Sequence, residues 1–457
     1  EEEEEGEEGG DGGGGGGVAG TLHVRFYLHA FAAGQEPLEP MGLPHDAYGF
    51  QVRPANVGAY QAHLRSVEQD APMWLAQWNS LMRGVASDAE LPAEARSLAT
   101  SVLSRGVPPQ HRPHVWLCLT GARELMQRSA RGGRDYWQLA AAAEGAVPHD
   151  IRRQVEYDLP RTFPQHADFM PGGGGGGGDG ASARVDTPAL ASLRRVLLAF
   201  AMYEPSVGYC QSLNFVAAML ILVGGEEGGF WMLAAICANV IPDYHTHQMT
   251  GLRIDTQAVA TLVGATLPKL EAHFNSLGVP LEILASHSGS PRSWPLALTL
   301  PLPLTHTQWF LSLFANVLPS GTLLRLWDAV LAGGGVDALA AAMVATLRRH
   351  QAAMLDTEDI AEIYSLLAEV TPAMWRADLM LADMQAATVE LDPGGLRWTE
   401  MRRQREALRR QQLRQLLDET GLEIAEVAPL LGLSLEALPP HRQPPPRQPP
   451  PRPAAAA

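Results

Sequence analysis

The chain has 457 residues, 46% apolar and 18% charged, which suffices to bury a large core in two to four domains or in one large domain with appendages. Its net charge of −16 is uneven, because Glu1–Asp11 carry seven Glu and one Asp, and an overall acidic balance argues against a general binder of nucleic-acid backbones. Of 34 basic residues one is a lysine, Lys269, which stands in Leu267-Pro268-Lys269 without a preceding glycine loop; a Walker A phosphate site and the protein-kinase lysine are both excluded.

Residues 1–20 form a Glu/Gly tract that cannot bury apolar surface and is expected to be disordered. Residues 21–98 lead into the main body. Leu22, Val24, Phe26 and Leu28 alternate with more polar neighbours as in a short strand, and Trp74, Trp78 and Leu81 follow at helical spacing. From 99 to 385 the pattern is helical nearly throughout. Leu190, Leu193, Val196, Leu197, Phe200 and Ala201 form one apolar stripe, ended by Pro205. Asp255 reads as the cap of a helix running to about Leu277, where Gly278 and Pro280 stop it. Trp309, Phe310, Leu313 and Phe314 stripe another helix ended at Pro319. Ser320 reads as the cap of a run through Leu331, followed by helices over 336–355 and 358–367. Period-2 strands bounded by turns are absent from this body, so an all-α fold is expected.

Two inserts interrupt it. Residues 172–180 are a Gly run; residues 286–304 have a Pro spacing that prevents a helix and are either a surface loop or a translated intron. Residues 386–457 comprise a basic helix (Arg397, Arg402, Arg403, Arg405, Arg409, Arg410, Arg414) and a Pro-rich tail of polyproline type. The tail's repeated Pro-Pro-Pro-Arg units fit an SH3-type partner or a solubilising end, and the basic helix fits peripheral contact with anionic lipid or a solvated face beside Asp418, Glu419 and Glu423.

Three widely spaced cysteines, Cys118, Cys210 and Cys237, form no Cys-x-x-Cys pair, so a reduced, cytoplasmic setting is expected. The acidic, Gly-rich start is unlike a signal peptide, and Leu213–Val223 covers about half a membrane span; no transmembrane segment is expected. Neither His-Glu-x-x-His nor Gly-x-Ser-x-Gly occurs. His245 and His247 would chelate only from a strand and lack an acidic or Cys partner nearby, so no metal site is expected. Cys210 reads either as a nucleophile or, more simply, as a buried cysteine at a helix start.

Two segments carry the strongest chemical signal: Val155-Glu156-Tyr157-Asp158-Leu159-Pro160-Arg161-Thr162-Phe163-Pro164 and Gly208-Tyr209-Cys210-Gln211-Ser212-Leu213-Asn214-Phe215. Asp158 and Arg161, three apart, share a face within one helical turn, while Pro160 and Pro164 push Arg161 towards a helix terminus. Gln211 and Asn214 flank small residues before an apolar helix. On the residues alone, an ion pair between helices and ordinary capping explain these features as well as a functional site does.

These segments resemble signature motifs of the TBC domain, the GTPase-activating module for Rab-type small GTPases. The first is similar to I-x-x-D-x-x-R-T-F-P, with Val155 for Ile; the second is similar to Y-C-Q-G-M-N, with Ser212 for Gly and Leu213 for Met. Arg105-Gly106-Val107-Pro108 with Arg112, Val115 and Trp116 resembles the family's opening. Ile241-Pro242-Asp243-Tyr244 resembles its middle element, and Leu318-Pro319 with Leu324-Arg325-Leu326-Trp327-Asp328 its late one. Within the family, Tyr48-Gly49-Phe50 and these motifs resemble the growth-hormone-regulated TBC protein subgroup.

The resemblance implies a TBC-type multi-helix domain over 99–385 and a GTP-bound Rab partner. Arg161 would be an arginine finger and Gln211 a glutamine finger, both inserted in trans. Asp158 would orient Arg161, and Tyr209 and Asn214 would shape the glutamine loop and contact the GTPase. GTP and Mg²⁺ would belong to the partner, with no cofactor held by the chain, and the setting would be cytoplasmic, peripheral on endomembranes. Trp116, Trp327, Arg325 and Asp328 read as structural. The alternative is a Rab-binding scaffold or effector of the same fold without catalytic action.

Overall fold

The computed structural model describes residues 45–86, 89–100, 106–133, 135–170, 187–277 and 309–420. The 1–20 tract, the strand signal at 22–28, both inserts, the Pro-rich tail and Arg105 lie outside the described residues. Among the described residues the chain is helical, with two isolated β-bridges in place of any sheet.

The helices are α1 (Val57–Leu81), α2 (Ala93–Thr100), α3 (Arg112–Thr120), α4 (Ala122–Arg131), α5 (Tyr136–Ala146), α6 (His149–Asp158), α7 (Pro188–Tyr203) and α8 (Leu213–Ala235). They continue with α9 (Thr250–Thr266), α10 (Pro268–Ser276), α11 (Ser320–Ala329), α12 (Gly335–Leu355), α13 (Ile360–Val370), α14 (Ala377–Val389) and α15 (Leu396–Thr420). Local chemistry sets many of the starts. Thr187 caps α7 by accepting the Leu190 N–H, with Pro188 at the first helical position; Asp135 and Asp359 cap α5 and α13 in the same way.

Helix α8 is the central element. It packs against α3, α4 and α7, and α5 packs on α7 and also touches α8 through Tyr136. The α8 span is kinked at Gly225 (φ 72°, ψ −179°), just beyond the Leu213–Val223 run read from the sequence, and next to the kink Glu226 accepts from the Tyr136 hydroxyl and from Nε and Nη2 of Arg195. Residues 213–240 and 320–355 are each long and apolar enough to cross a membrane by composition. Half of the first such window and 72% of the second are buried within the fold, as expected of core helices.

Trp116, Trp231, Trp309 and Trp327 are fully buried in one continuous core, with the Trp116 and Trp327 rings 5.8 Å apart. Asp328 is the polar centre of that core. It accepts from Arg112 Nε (3.1 Å) and Nη2 (3.0 Å), from Trp116 Nε1 (2.9 Å) and from the Val107 N–H (3.0 Å). A buried carboxylate persists only when its lone pairs and charge are met, and these four donors meet them.

Three sequence expectations are corrected. Asp255 is not a cap: the helix begins at Thr250, and Asp255 sits buried inside α9, accepting from the Tyr244 hydroxyl, Arg405 and Arg409. The run beyond it divides at Pro268, which has no N–H to continue the ladder and instead opens α10. Ser320 donates to Asp46 and does not cap α11; Pro319 occupies the cap position. The Trp309–Phe314 stripe is a short turn, because Leu313 and Phe314 adopt φ of 50° and 65°, and the freed Leu313 carbonyl takes the Trp327 indole N–H at 2.8 Å. Helix α15 packs along α9, where Arg405 and Arg409 supply the positive charge that the buried Asp255 requires.

Candidate functional site

Helix α6 ends at Asp158, and a 3-10 turn, Leu159–Arg161, follows at once. Pro160 fits this tight turn, whose first N–H groups have no intrahelical partner anyway. The turn thrusts Arg161 outwards: its side chain is 69% exposed, held by a loose 3.8 Å ion pair to the buried Asp158. Asp158 itself is fixed by the Tyr209 hydroxyl, which donates to Oδ2 at 2.8 Å. Burial, and then the neighbouring Asp158, push the Tyr209 phenol well above its ordinary range, so it remains a donor.

A second buried link joins the same two loops. Thr162 donates to the Asp158 carbonyl (2.9 Å) and accepts from Asn214 Nδ2 (2.8 Å); Asn214 Oδ1 in turn receives the Ser212 N–H (3.2 Å). The arginine loop and the glutamine loop are therefore bound to one another by Asp158–Tyr209 and Thr162–Asn214. The motif alone assigns Thr162 no role; its hydroxyl supplies the second tie.

Gln211 is exposed at the tip of a turn closed by the Leu213 N–H on the Cys210 carbonyl, 3.2 Å. Ser212 holds the third position of that turn at φ 91°, ψ −22°, the left-handed conformation that a type II turn demands there and that glycine adopts most easily. This explains why a Gly-to-Ser departure is felt at this position. Ser212→Gly is expected to raise stability by about 1 kcal/mol through relief of that backbone, read as a higher unfolding midpoint with the glutamine turn unchanged. A lower midpoint would show that the serine is not strained.

Cys210 lies beside the turn, and burial, then Asp158, push its thiol up to about 11, so it is a protonated and poor nucleophile near neutral pH. A groove of ≈ 440 Å³ opens beside Arg161, lined also by Phe163, Phe215, Asn316, Pro319 and Trp375. Tyr157, 63% exposed, stands on the same stretch of chain as Arg161.

His245 and His247 do not come together as a pair. His247 is exposed, whereas His245 is buried and its Nε2–H donates to the Leu311 carbonyl at 2.9 Å. Burial pulls the His245 imidazole down from 6.5 to about 4. Between those values the unfolded chain binds a proton that the folded chain refuses, so a contribution present in full above about pH 6.5 is lost as pH falls towards 4. The loss is about 3 kcal/mol in all. His245→Gln keeps a donor for Leu311, and its stability is expected to depend less on pH over that window, measured by denaturant unfolding at several pH values.

The described residues thus form an all-α domain that presents an exposed arginine and an exposed glutamine on two mutually bonded loops, beside a groove. Comparison with known proteins gives the family. A Rab-GTPase-TBC domain model matches residues 109–289 and a RabGAP TBC domain model matches residues 301–390, together more than half the chain. The gap between the two matches falls inside the 286–304 segment. Growth hormone-regulated TBC protein 1 of Homo sapiens is 28% identical over 385 residues, 83% of this chain and 99% of that protein. TBC1 domain family member 2A of Mus musculus is 34% identical over 268 residues, 58% of this chain and 25% of that protein. The fold is shared with the Chlamydomonas flagellar RabGAP TBC domain (TM-score 0.55, 24% identity, 75% of this chain and 98% of that one). It is shared also with the Ypt/Rab-GAP domain of Gyp1p (TM-score 0.53, 17% identity, 70% and 98%). The chain belongs to the TBC domain family.

Proposed function

We propose that this protein is a GTPase-activating protein for a Rab-family small GTPase, completing its partner's active site with Arg161 and Gln211. One observation carries the reading: both side chains are exposed, while the residues that anchor their loops, Asp158, Thr162, Tyr209 and Asn214, are buried and bonded to one another. That is the arrangement of a preorganised pair awaiting a ligand from outside.

The chemistry follows from the demands of phosphoryl transfer. Hydrolysis of GTP builds charge on the bridging and γ-phosphate oxygens, and catalysis consists of positioning and charge stabilisation. Arg161, always charged and planar, would meet two of those oxygens, and the Gln211 amide would orient the attacking water. GTP and Mg²⁺ are the partner's; the chain itself needs no cofactor. Acting on a Rab-type GTPase, the protein would regulate vesicle traffic from the cytoplasm or from the surface of endomembranes.

The test is single-turnover hydrolysis by a panel of GTP-loaded Rab proteins with and without the wild-type chain. Acceleration of at least one is the expected result. GTP-dependent binding without acceleration of any would favour a scaffold or effector in its place.

A further inference from the structure

The 45–51 segment lies outside both family-model matches, yet the loop that follows Arg161 is built against it. Phe163, two residues after Arg161, holds φ at 46°, a backbone conformation that a bulky residue keeps only where its surroundings over-determine it. Its ring meets Phe50 edge-on at 5.0 Å and Phe215 of the glutamine-loop helix at 5.4 Å. Phe50 and His166 form an antiparallel bridge, and the Ala167 N–H donates to the Gly49 carbonyl at 2.9 Å.

His166 locks this junction. It is fully buried; its Nδ1 accepts the Asp168 N–H at 3.0 Å, which leaves Nε2 as the donor to the Tyr48 carbonyl at 2.6 Å. Gly49, at φ 89°, passes so close that an added Cβ would stand 3.0 Å from the His166 ring. The far side of the turn is anchored in the core: Asp46 accepts from the Phe50 N–H and the Ser320 hydroxyl, and the Tyr48 hydroxyl accepts from Arg112, the partner of Asp328.

We infer that the 45–51 turn is a positioning element for Arg161, fixing the 162–169 loop through the His166–Tyr48 bond and the Phe50–Phe163 contact. The need for one is physical. The 3.8 Å ion pair to Asp158 leaves the guanidinium exposed and holds it only loosely, so where the side chain can reach depends on how firmly the backbone at Arg161 is placed from both sides. Helix α6 fixes one side, and the 45–51 turn fixes the other. The functional unit thus extends N-terminally of the 99–385 domain. The catalytic half of this inference rests on the GTPase-activating reading; the mechanical half does not.

The experiment uses the full chain with His166→Leu, which removes both bonds at similar bulk, His166→Gln, whose amide can still donate to the Tyr48 carbonyl, and Gly49→Ala. Amide hydrogen exchange is expected to rise in peptides covering 159–169 for His166→Leu and Gly49→Ala, with α8 unaffected and His166→Gln near wild type. On a Rab that the wild type stimulates, kcat is expected to fall about 10- to 100-fold in the first two variants, with KM changed less than about twofold and kcat largely rescued in His166→Gln. Unchanged exchange at 159–169 in both folded variants would overturn the inference. Raised exchange with unchanged kcat would overturn the role in catalysis. A wild type that stimulates no Rab would strike the GTPase-activating reading instead, with the exchange data still deciding the mechanical coupling; Gly49→Ala serves where His166→Leu does not fold.

Discussion

Arg161→Ala is expected to lower Rab-stimulated GTP hydrolysis by about 10³-fold or more while leaving the fold intact. The first half rests on the proposed arginine-finger role, and the second follows from the geometry. The side chain is 69% exposed and its ion pair to the buried Asp158 spans 3.8 Å, so the contact itself is weak. The carboxylate it leaves behind still receives the Tyr209 hydroxyl. What would be lost, on the proposed mechanism, is a positive charge at the partner's phosphates, for which water is a poor substitute. Arg161→Lys is expected to recover little, because an ammonium on a flexible stem cannot present two parallel donors to two oxygens. Gln211→Ala removes the amide proposed to orient the water and is also expected to slow the chemical step more than it weakens binding. The measurement is single-turnover hydrolysis at saturating activator, with binding to GTP-loaded Rab followed separately. An unchanged rate in Arg161→Ala would sink the proposed mechanism.

Much of this was legible in the sequence because it is local. The α7 stripe sits within one stretch of chain, so periodicity finds it, whereas its Thr187 cap and Pro188 emerge only from the structure. Asp158, Arg161, Tyr209, Gln211 and Asn214 lie in two short motifs, which the structure joins by two hydrogen bonds. The misreadings arose where a distant partner decides. Asp255 has the composition of a helix cap, but helix α15, some 150 residues later, brings two arginines to it. The Trp309–Phe314 stripe has helical spacing, yet its backbone turns left-handed and its Leu313 carbonyl serves Trp327. Arg325 and Asp328 do share helix α11, as read; what the sequence does not show is that Asp328 pairs bidentately with Arg112, 216 positions away. No local pattern carries that information, because the pairing exists only once α3 and α11 meet.

That pairing makes the second large prediction, Asp328→Ala, which is expected to destabilise the protein by about 3–5 kcal/mol. Arg112 and Asp328 are both under 6% exposed as side chains, so neither can recover its interactions from water. Removing the carboxylate strands a guanidinium in the core and orphans the Trp116 indole N–H and the Val107 N–H at the same time. The Tyr48 hydroxyl, 2.6 Å from Arg112, is then the guanidinium's remaining named acceptor and carries no compensating charge. The loss should be asymmetric. Replacing the pair together, Arg112→Met with Asp328→Leu, removes the stranded charge and is expected to be milder than Asp328→Ala alone, since a buried ion pair stabilises little relative to apolar packing. Urea unfolding of the two variants and of wild type distinguishes the outcomes. If Asp328→Ala loses under about 1 kcal/mol, Asp328 is not the polar centre that holds α3, α11 and the 45–51 turn in register.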